Sequence, residues 1–173
     1  MSRRSRFTLV VILAGIATLV ACGGSPGGGG EAIAHGSARK GVGPAAREVC
    51  EPMVRDSVPS AVGAPVVGQP VSAIRGDTFS CNYAFEGGSL DLSVRDLHAL
   101  RAAREYFRDL HGREGVGDAL SGLAAGGFTK GDGSVVAMKD AMILTVDVTQ
   151  LPPTRVDKTD VAIEVASTVL GCW

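Results

Sequence analysis

The sequence lacks the short motifs by which common enzyme and metal-binding classes are recognised. No serine lies in a Gly-x-Ser-x-Gly elbow between a strand and a helix, and neither His-Glu-x-x-His nor Cys-x-x-Cys occurs, so the usual signatures of hydrolases, zinc proteases and zinc ribbons are absent. The glycine-rich segment 112–127 lacks the lysine-serine ending of a phosphate-binding loop and predicts loop and turn structure. We therefore expect no catalytic residue, no metal and no cofactor, and a protein that is not an enzyme.

Histidine is scarce, with three residues in the chain. His35 lies in a glycine-rich segment with no second metal ligand nearby, and His98 and His111 lie on different turns of one predicted helix. We interpret them as solvated side chains, with His111 close to the helix C-terminus. An enzymatic role would require His98 or His111 to meet an acidic side chain in a cleft. Asp147, a carboxylate in an otherwise apolar run, is interpreted as facing solvent.

The N-terminal apolar run is too short for a permanent membrane span. It covers residues 7–21 and follows three arginines; as a helix it would reach about 22 Å, against the roughly 30 Å of a hydrocarbon core. Basic residues before a short apolar run are typical of an export signal. The sequence therefore predicts a signal peptide over residues 1–21.

This run ends in Leu19-Val20-Ala21-Cys22, which resembles the bacterial lipobox. The resemblance implies that Cys22 is acylated and becomes the new N-terminus, because two or more acyl chains anchor a protein stably to a bilayer without a spanning helix. The alternative is an ordinary secretory signal with Cys22 as a plain thiol. We expect a lipid-anchored protein on the extracytoplasmic face of the cell membrane.

Basic charge is also in deficit once the signal is removed. The remaining chain carries 17 − 3 = 14 basic and 18 acidic side chains, a net charge of −4, which disfavours nucleic acid and anionic lipid headgroups as partners. Residues 22–44 contain Cys22 followed by a glycine-rich stretch with few apolar residues, the composition of a flexible tether. Residues 45–173 have the size of one domain.

Two β-hairpins are predicted from alternating apolar residues. In the first, over 78–94, Gly87-Gly88 forms a two-residue turn that sets Phe85 opposite Leu90, Tyr83 opposite Leu92 and Cys81 opposite Val94. The second covers 134–148 and turns near Lys139-Asp140. Its apolar residues point to both faces, which favours a central place in the sheet.

Helices are expected before, between and after these hairpins. The first lies between Pro44 and Ser57 and either kinks or begins at Pro52. The second follows Asp96 as its cap, buries a stripe of five apolar residues and ends at Gly112. The third starts after Asp157, although its β-branched residues also fit a strand. The stripe of the second helix consists of Leu97, Leu100, Ala103, Phe107 and Leu110. This order predicts an α+β fold with an antiparallel sheet flanked by helices.

Three cysteines remain if Cys22 carries lipid. Outside the cytoplasm one disulfide and one leftover thiol are expected. The favoured pair is Cys50 with Cys81, which would join the early helix to the inner face of the first hairpin. Pairs that use Cys172 stay open.

Several segments together resemble the small actinobacterial lipoproteins of unknown function. They are the lipobox, the glycine-rich tether, "REVCEPMV", "FSCNYAF", "EYFRDLHG", "GLAAGGF" and "VAMKDAMILTVDV". The resemblance implies a pair between an early cysteine and a Cys-x-aromatic motif, and a layered sandwich similar to PsbP-like proteins. It implies no activity, and Cys172 departs from the two-cysteine pattern.

Two functions follow as expectations. The first is a non-enzymatic binding or interaction module in the cell envelope, with an envelope protein as partner. The second is a carrier or sensor of a small hydrophobic ligand or lipid. An apolar cavity between sheet and helix would favour the second function, and a filled core would favour the first. The residues expected to line such a cavity are Phe79, Tyr83, Phe85, Leu92 and Phe107.

Overall fold

The computed structural model describes residues 41–153 and 156–173. The predicted signal peptide, Cys22 and most of the tether therefore lie outside the described residues. The described part is an α+β structure in which seven antiparallel strands form one sheet with helices against it. Its strands are β1 (Val71–Arg75), β2 (Thr78–Phe85), β3 (Gly88–Asp96), β4 (Gly115–Ala119), β5 (Gly127–Lys130), β6 (Val135–Lys139) and β7 (Met142–Asp147).

The helices are a 3₁₀ helix over Pro44–Cys50, α1 (Pro52–Val62), α2 (Leu100–Glu114) and α3 (Lys158–Cys172). Of the two options for Pro52, the structure has the second, because α1 begins there with the proline in its first turn. The helical form of the last segment is confirmed. The Asp157 carboxylate accepts a hydrogen bond from Thr159 N at 2.8 Å and caps α3.

The order of the strands is β1-β2-β3-β7-β6-β5-β4, so the first hairpin and the second are joined through β3 and β7. β7 lies at the centre, as expected from its two apolar faces. Val135, Leu144 and Val146 belong to one buried cluster, and Val136 and Ile143 belong to another on the opposite face. The second hairpin is confirmed, with its turn at Asp140-Ala141.

The larger cluster contains the 3₁₀ helix, α1 and α3 packed on one face of the sheet. The predicted disulfide between Cys50 and Cys81 is present, with 5.5 Å between the two Cα atoms. Two residues away, the hydroxyl of buried Tyr83 donates a hydrogen bond to the Val49 carbonyl at 2.6 Å. A covalent bond and a buried hydrogen bond thus join the 3₁₀ helix to β2.

The register of the first hairpin differs from the prediction by two residues. Phe85 pairs with Gly88, and Tyr83 pairs with Leu90, so the turn is Glu86-Gly87. Gly87 has φ +83°, whereas Gly88 belongs to β3 and approaches another backbone. The same side chains still share one face, because a slip of two residues preserves the side-chain alternation.

The second helix begins later than predicted. Asp96 is the last residue of β3, and its carboxylate accepts from His98 N at 2.9 Å and from Gly43 N at 3.1 Å. Because His98 has φ +56°, α2 starts only at Leu100. It also continues through Gly112 to Glu114, and Leu100 is exposed instead of buried.

Three strands were not predicted. β4 occupies part of the glycine-rich segment that was expected to be loop, and β5 follows it. β1 adds a seventh strand next to β2, and all five of its residues are exposed. None of the helices within 41–153 and 156–173 combines the length and apolar composition needed to cross a bilayer.

Candidate binding surface

The residues expected to line an apolar cavity do not share one site. Phe79, Tyr83, Phe85 and Leu92 are buried in the larger cluster, between the sheet and the 3₁₀, α1 and α3 helices. Phe107 lies on the opposite face, where its ring meets Phe128 edge-on with 5.3 Å between centroids. The four core side chains fill the space between the layers.

A different surface stands out on the other side of the sheet. α2 contacts β4, β6 and β7 on that side and reaches β3 where the Tyr106 ring meets Arg95. Within the described part of the chain no helix packs extensively on the same side of β1, β2 and β3. We call this surface the open face. It consists of the outward residues of β1–β3 and of two residues in β7.

The strand register arranges the open face in three rows. The arginine row holds Arg75, Thr78 and Arg95, the hydroxyl row holds Ala73, Ser80, Ser93 and Thr145, and the acid row holds Val71, Asn82, Asp91 and Asp147. Adjacent rows are two residues apart along each strand, which is about 6.7 Å. The arginine and acid rows are therefore about 13 Å apart, and the open face has a cationic end and an anionic end.

Asp91 and Asp147 lie directly opposite each other on β3 and β7. Burial raises the pKa of Asp91, and the nearby Asp147 carboxylate raises it further, while a hydrogen bond from Asn82 Nδ2 at 3.3 Å acts in the opposite direction. Like charges in directly opposed positions of a sheet destabilise it. The acid row therefore carries an electrostatic cost that folding alone does not require.

Lys130, whose charge interacts with that of Asp147, is also paired with two other carboxylates. Lys130 Nζ lies 3.1 Å from Glu114 Oε2 and 3.7 Å from Asp132 Oδ2. Burial lowers its pKa, but the bond to Glu114 and the charges of Asp132 and Asp147 outweigh burial and raise it. Asp147 Oδ1 accepts from Thr149 N at 2.8 Å, which orients the carboxylate at the end of β7.

The cationic end of the open face meets the edge of α2. The Arg95 guanidinium lies 4.6 Å from the centre of the Tyr106 ring, a cation–π contact that fixes its orientation. Arg75 is exposed and makes no ion pair with any described residue. Both guanidinium groups can bind an anionic group of a partner at the surface.

His98 does meet acidic side chains. Its Nδ1 lies 3.2 Å from Asp96 Oδ1 and its Nε2 lies 3.4 Å from Asp77 Oδ1. No hydroxyl or thiol of the described chain bonds the ring, and Asp96 also holds two backbone amides. The arrangement joins three segments of backbone at the surface, where β3 ends. His111 packs edge-on against Phe128, 4.8 Å between ring centres.

Over residues 41–153 and 156–173, no three His, Cys, Asp or Glu side chains are arranged to hold a metal ion. An apolar cleft of about 560 Å³ is present at the surface, where α1 ends. Its lining includes Val62, Ala64, Pro65, Val67 and Pro152. It is separate from the open face and from the five residues predicted to form a cavity.

Comparison with known proteins gives no family assignment: no protein-family model matches the chain, and no curated protein or solved structure is significantly similar to it. Sequence reasoning did not identify the open face. Its polar residues looked like the solvent side of ordinary hairpins, and the pair Asp91 and Asp147 depends on the neighbourhood of β3 and β7.

We expect Asp91→Asn to stabilise the protein at neutral pH, by up to about 1 kcal/mol. Because the pKa of Asp91 is raised in the folded protein, the protonated carboxyl group favours folding below pH 3.8, its ordinary pKa. This stabilisation is lost as the pH rises through the raised pKa and the group becomes charged. Urea unfolding at pH 7 and at pH 3 measures the difference in unfolding free energy between Asp91→Asn and the wild type. This difference should vanish at pH 3. Asp109→Asn, the same change on exposed α2, is the control, and equal effects of both substitutions would contradict the prediction.

Proposed function

We propose that this protein is a non-enzymatic binding module, tethered by lipid to the extracytoplasmic face of the cell membrane, which binds an envelope partner on the open face. The observation that carries the proposal is the opposed pair of Asp91 and Asp147, held together at a cost to stability. Residues that lower stability without a role in folding are typical of functional sites. The filled core supports a surface function over an enclosed ligand.

The charges of the open face indicate the chemistry of the partner. A cationic group, such as a lysine, an arginine or a primary amine, is complementary to the two carboxylates of the acid row. An anionic group about 13 Å away is complementary to Arg75 and Arg95. The serine and threonine hydroxyls between them offer hydrogen bonds to a peptide backbone or to another polar chain. The partner is therefore an extended polar segment with charges of both signs.

The lipid anchor is supported by the sequence, since Cys22 follows the export signal in a lipobox-like context. The disulfide between Cys50 and Cys81 fits a compartment outside the reducing cytoplasm.

We expect Cys22→Ala to abolish incorporation of a clickable fatty acid in growing cells, with Cys172→Ala as a control that keeps the label. Full labelling of Cys22→Ala would exclude this anchor.

Site-specific photo-crosslinking in living cells tests the open face. A photoreactive amino acid at Ser80, in the hydroxyl row, should capture a partner, and the same group at Glu164 on α3 should not. We expect Asp91→Asn together with Asp147→Asn to reduce capture from position 80 at least tenfold, equivalent to about 1.4 kcal/mol of binding free energy. Glu105→Gln, which removes an exposed carboxylate from α2, is the matched control.

Capture that is unchanged in the double Asn variant would contradict binding through the acid row.

The apolar cleft at the end of α1 favours a second function, the carriage of a small hydrophobic ligand. A lipid that survives native mass spectrometry of the protein from its own membrane, and is lost in Val67→Asp, would support that function instead.

A further inference from the structure

The outer edge of the sheet at β1 is open. β1 pairs with β2 on one side, and none of the strands within residues 41–153 and 156–173 pairs with its other side. Val71 is 67% and Ile74 is 54% exposed. Proteins usually protect such an edge with lysine, proline or a bulge, but β1 contains none of these and has Arg75 as its single charge.

The hydrogen-bonding groups at this edge follow from the hairpin. β1 and β2 are joined by the two-residue turn Gly76-Asp77, with Arg75 paired to Thr78. In a two-residue hairpin the residues that flank the turn are hydrogen-bonded to each other. Arg75, Ala73 and Val71 therefore direct their amides and carbonyls towards β2. Ser72 and Ile74 direct theirs outwards.

Two such edges are complementary in one register. If two copies of β1 run antiparallel with Ala73 opposite Ala73, Ser72 of each copy faces Ile74 of the other, and these residues exchange four backbone hydrogen bonds. A shift of two residues in one direction would use Pro70, which has no amide hydrogen. A shift in the other direction would use Gly76 in the turn. The centred register avoids both.

The side chains are also complementary in this register. Val71 lies opposite Arg75 of the other copy, whose aliphatic stem covers exposed apolar surface. The two-fold axis reverses the polarity of the open face across the junction. The arginine row of each copy therefore continues into the acid row of the other, so that Arg75 of one copy is aligned with Val71, Asn82 and Asp91 of the next. No like charges are opposed at the new strand pair.

We propose that a second copy of this chain binds the outer edge of β1, so that two seven-stranded sheets join into one continuous sheet about a two-fold axis at Ala73. Paired strands of five residues bury less than the roughly 1,200 Å² of a standard stable interface. The association is therefore reversible and is favoured where many copies share one membrane. The pairing does not depend on what the open face binds.

Disulfide trapping in isolated membranes tests this arrangement. The full chain is expressed with Cys172→Ser, so that Cys172 cannot contribute, and with Ala73→Cys or Ser72→Cys. In the proposed register the two Ala73 positions are a non-hydrogen-bonded pair with Cα atoms about 4.5 Å apart, which a disulfide can bridge. The two Ser72 positions are offset by two residues along the strands and are too distant.

After mild oxidation we expect Ala73→Cys to run mainly as a covalent dimer on non-reducing gels. This dimer should be at least ten times more abundant than the dimer formed by Ser72→Cys. Adding Ser72→Pro, which removes an outward amide and leaves the ladder to β2 intact, should reduce trapping at Ala73 at least tenfold. Trypsin resistance equal to that of the Cys172→Ser parent verifies that each variant is folded.

Folded Ala73→Cys protein that stays monomeric, or that dimerises no more than Ser72→Cys, would overturn the proposal. A disulfide between Ala73→Cys and a different protein, in place of a second copy of this chain, would also overturn the proposal. Capture at position 80 is measured separately, so failure of the dimer leaves the proposed function standing and is distinguishable from its failure.

Discussion

Replacing Cys50 and Cys81 together by alanine is expected to lower the free energy of unfolding by roughly 3 to 4 kcal/mol, the chain-entropy value for a loop of this length. The bond joins residues separated by 31 positions, and the Cys81 side chain is fully buried. The hydrogen bond from Tyr83 to Val49 still holds the 3₁₀ helix on β2. The variant should therefore fold with reduced stability.

Urea unfolding followed by circular dichroism, with linear extrapolation to water, measures this change. Reduced wild-type protein should unfold at the same urea concentration as the double variant. Cys172→Ala is the control and should change the unfolding free energy by less than about 1 kcal/mol, because its side chain is only partly buried, near the C-terminal end of α3. A double variant within 1 kcal/mol of the wild type would contradict the prediction.

The second large effect is expected at Gly88. A Cβ atom at this position would overlap the Gln150 carbonyl oxygen and would lie 2.8 Å from Pro152 Cδ. The neighbouring amide of Ser89 donates to the same oxygen at 2.8 Å, so backbone segments must separate to admit a methyl group. We expect Gly88→Ala to lower the unfolding free energy by about 3 kcal/mol, the upper part of the range for overpacking.

Gly112→Ala is the matched control for Gly88→Ala. Gly112 lies inside α2, and nothing lies within 4 Å of a Cβ placed there. Alanine in a helix is about 0.5 to 1 kcal/mol more favourable than glycine, so this variant should gain stability by that amount. The same urea experiment measures both variants. A Gly88→Ala protein as stable as the wild type would show that residues 150–152 adjust without cost.

Much of the fold could be predicted from local patterns. Alternating apolar residues identified both hairpins, and Pro52 and Asp157 marked the starts of α1 and α3. The predicted register of the first hairpin was wrong because the two glycines near the turn have different roles. Gly87 supplies a positive φ, whereas Gly88 permits a close backbone approach to Gln150, which lies 62 positions further along the chain.

The strands that were missed have weak local signals, and β5 is only four residues long. All residues of β1 are exposed, so no alternation distinguishes them from loop. β4 lies in a glycine-rich segment whose composition predicts turns. The acid row could not be predicted either. Asp91 and Asp147 meet only because β3 and β7 are neighbours in the sheet, and local periodicity does not determine which hairpins become neighbours.

The link between Cys50 and Cys81 also determines how the domain would carry a mechanical load. Tension applied from the N-terminal side passes Gly43, which is bonded to Asp96, and then enters the 3₁₀ helix. At Cys50 the covalent bond transfers the force to β2, the second strand from one edge of the sheet and directly beside β3. Pulling would therefore load β2 and β3 through the disulfide, whereas β1, at the edge of the sheet, lies outside the direct path of the force.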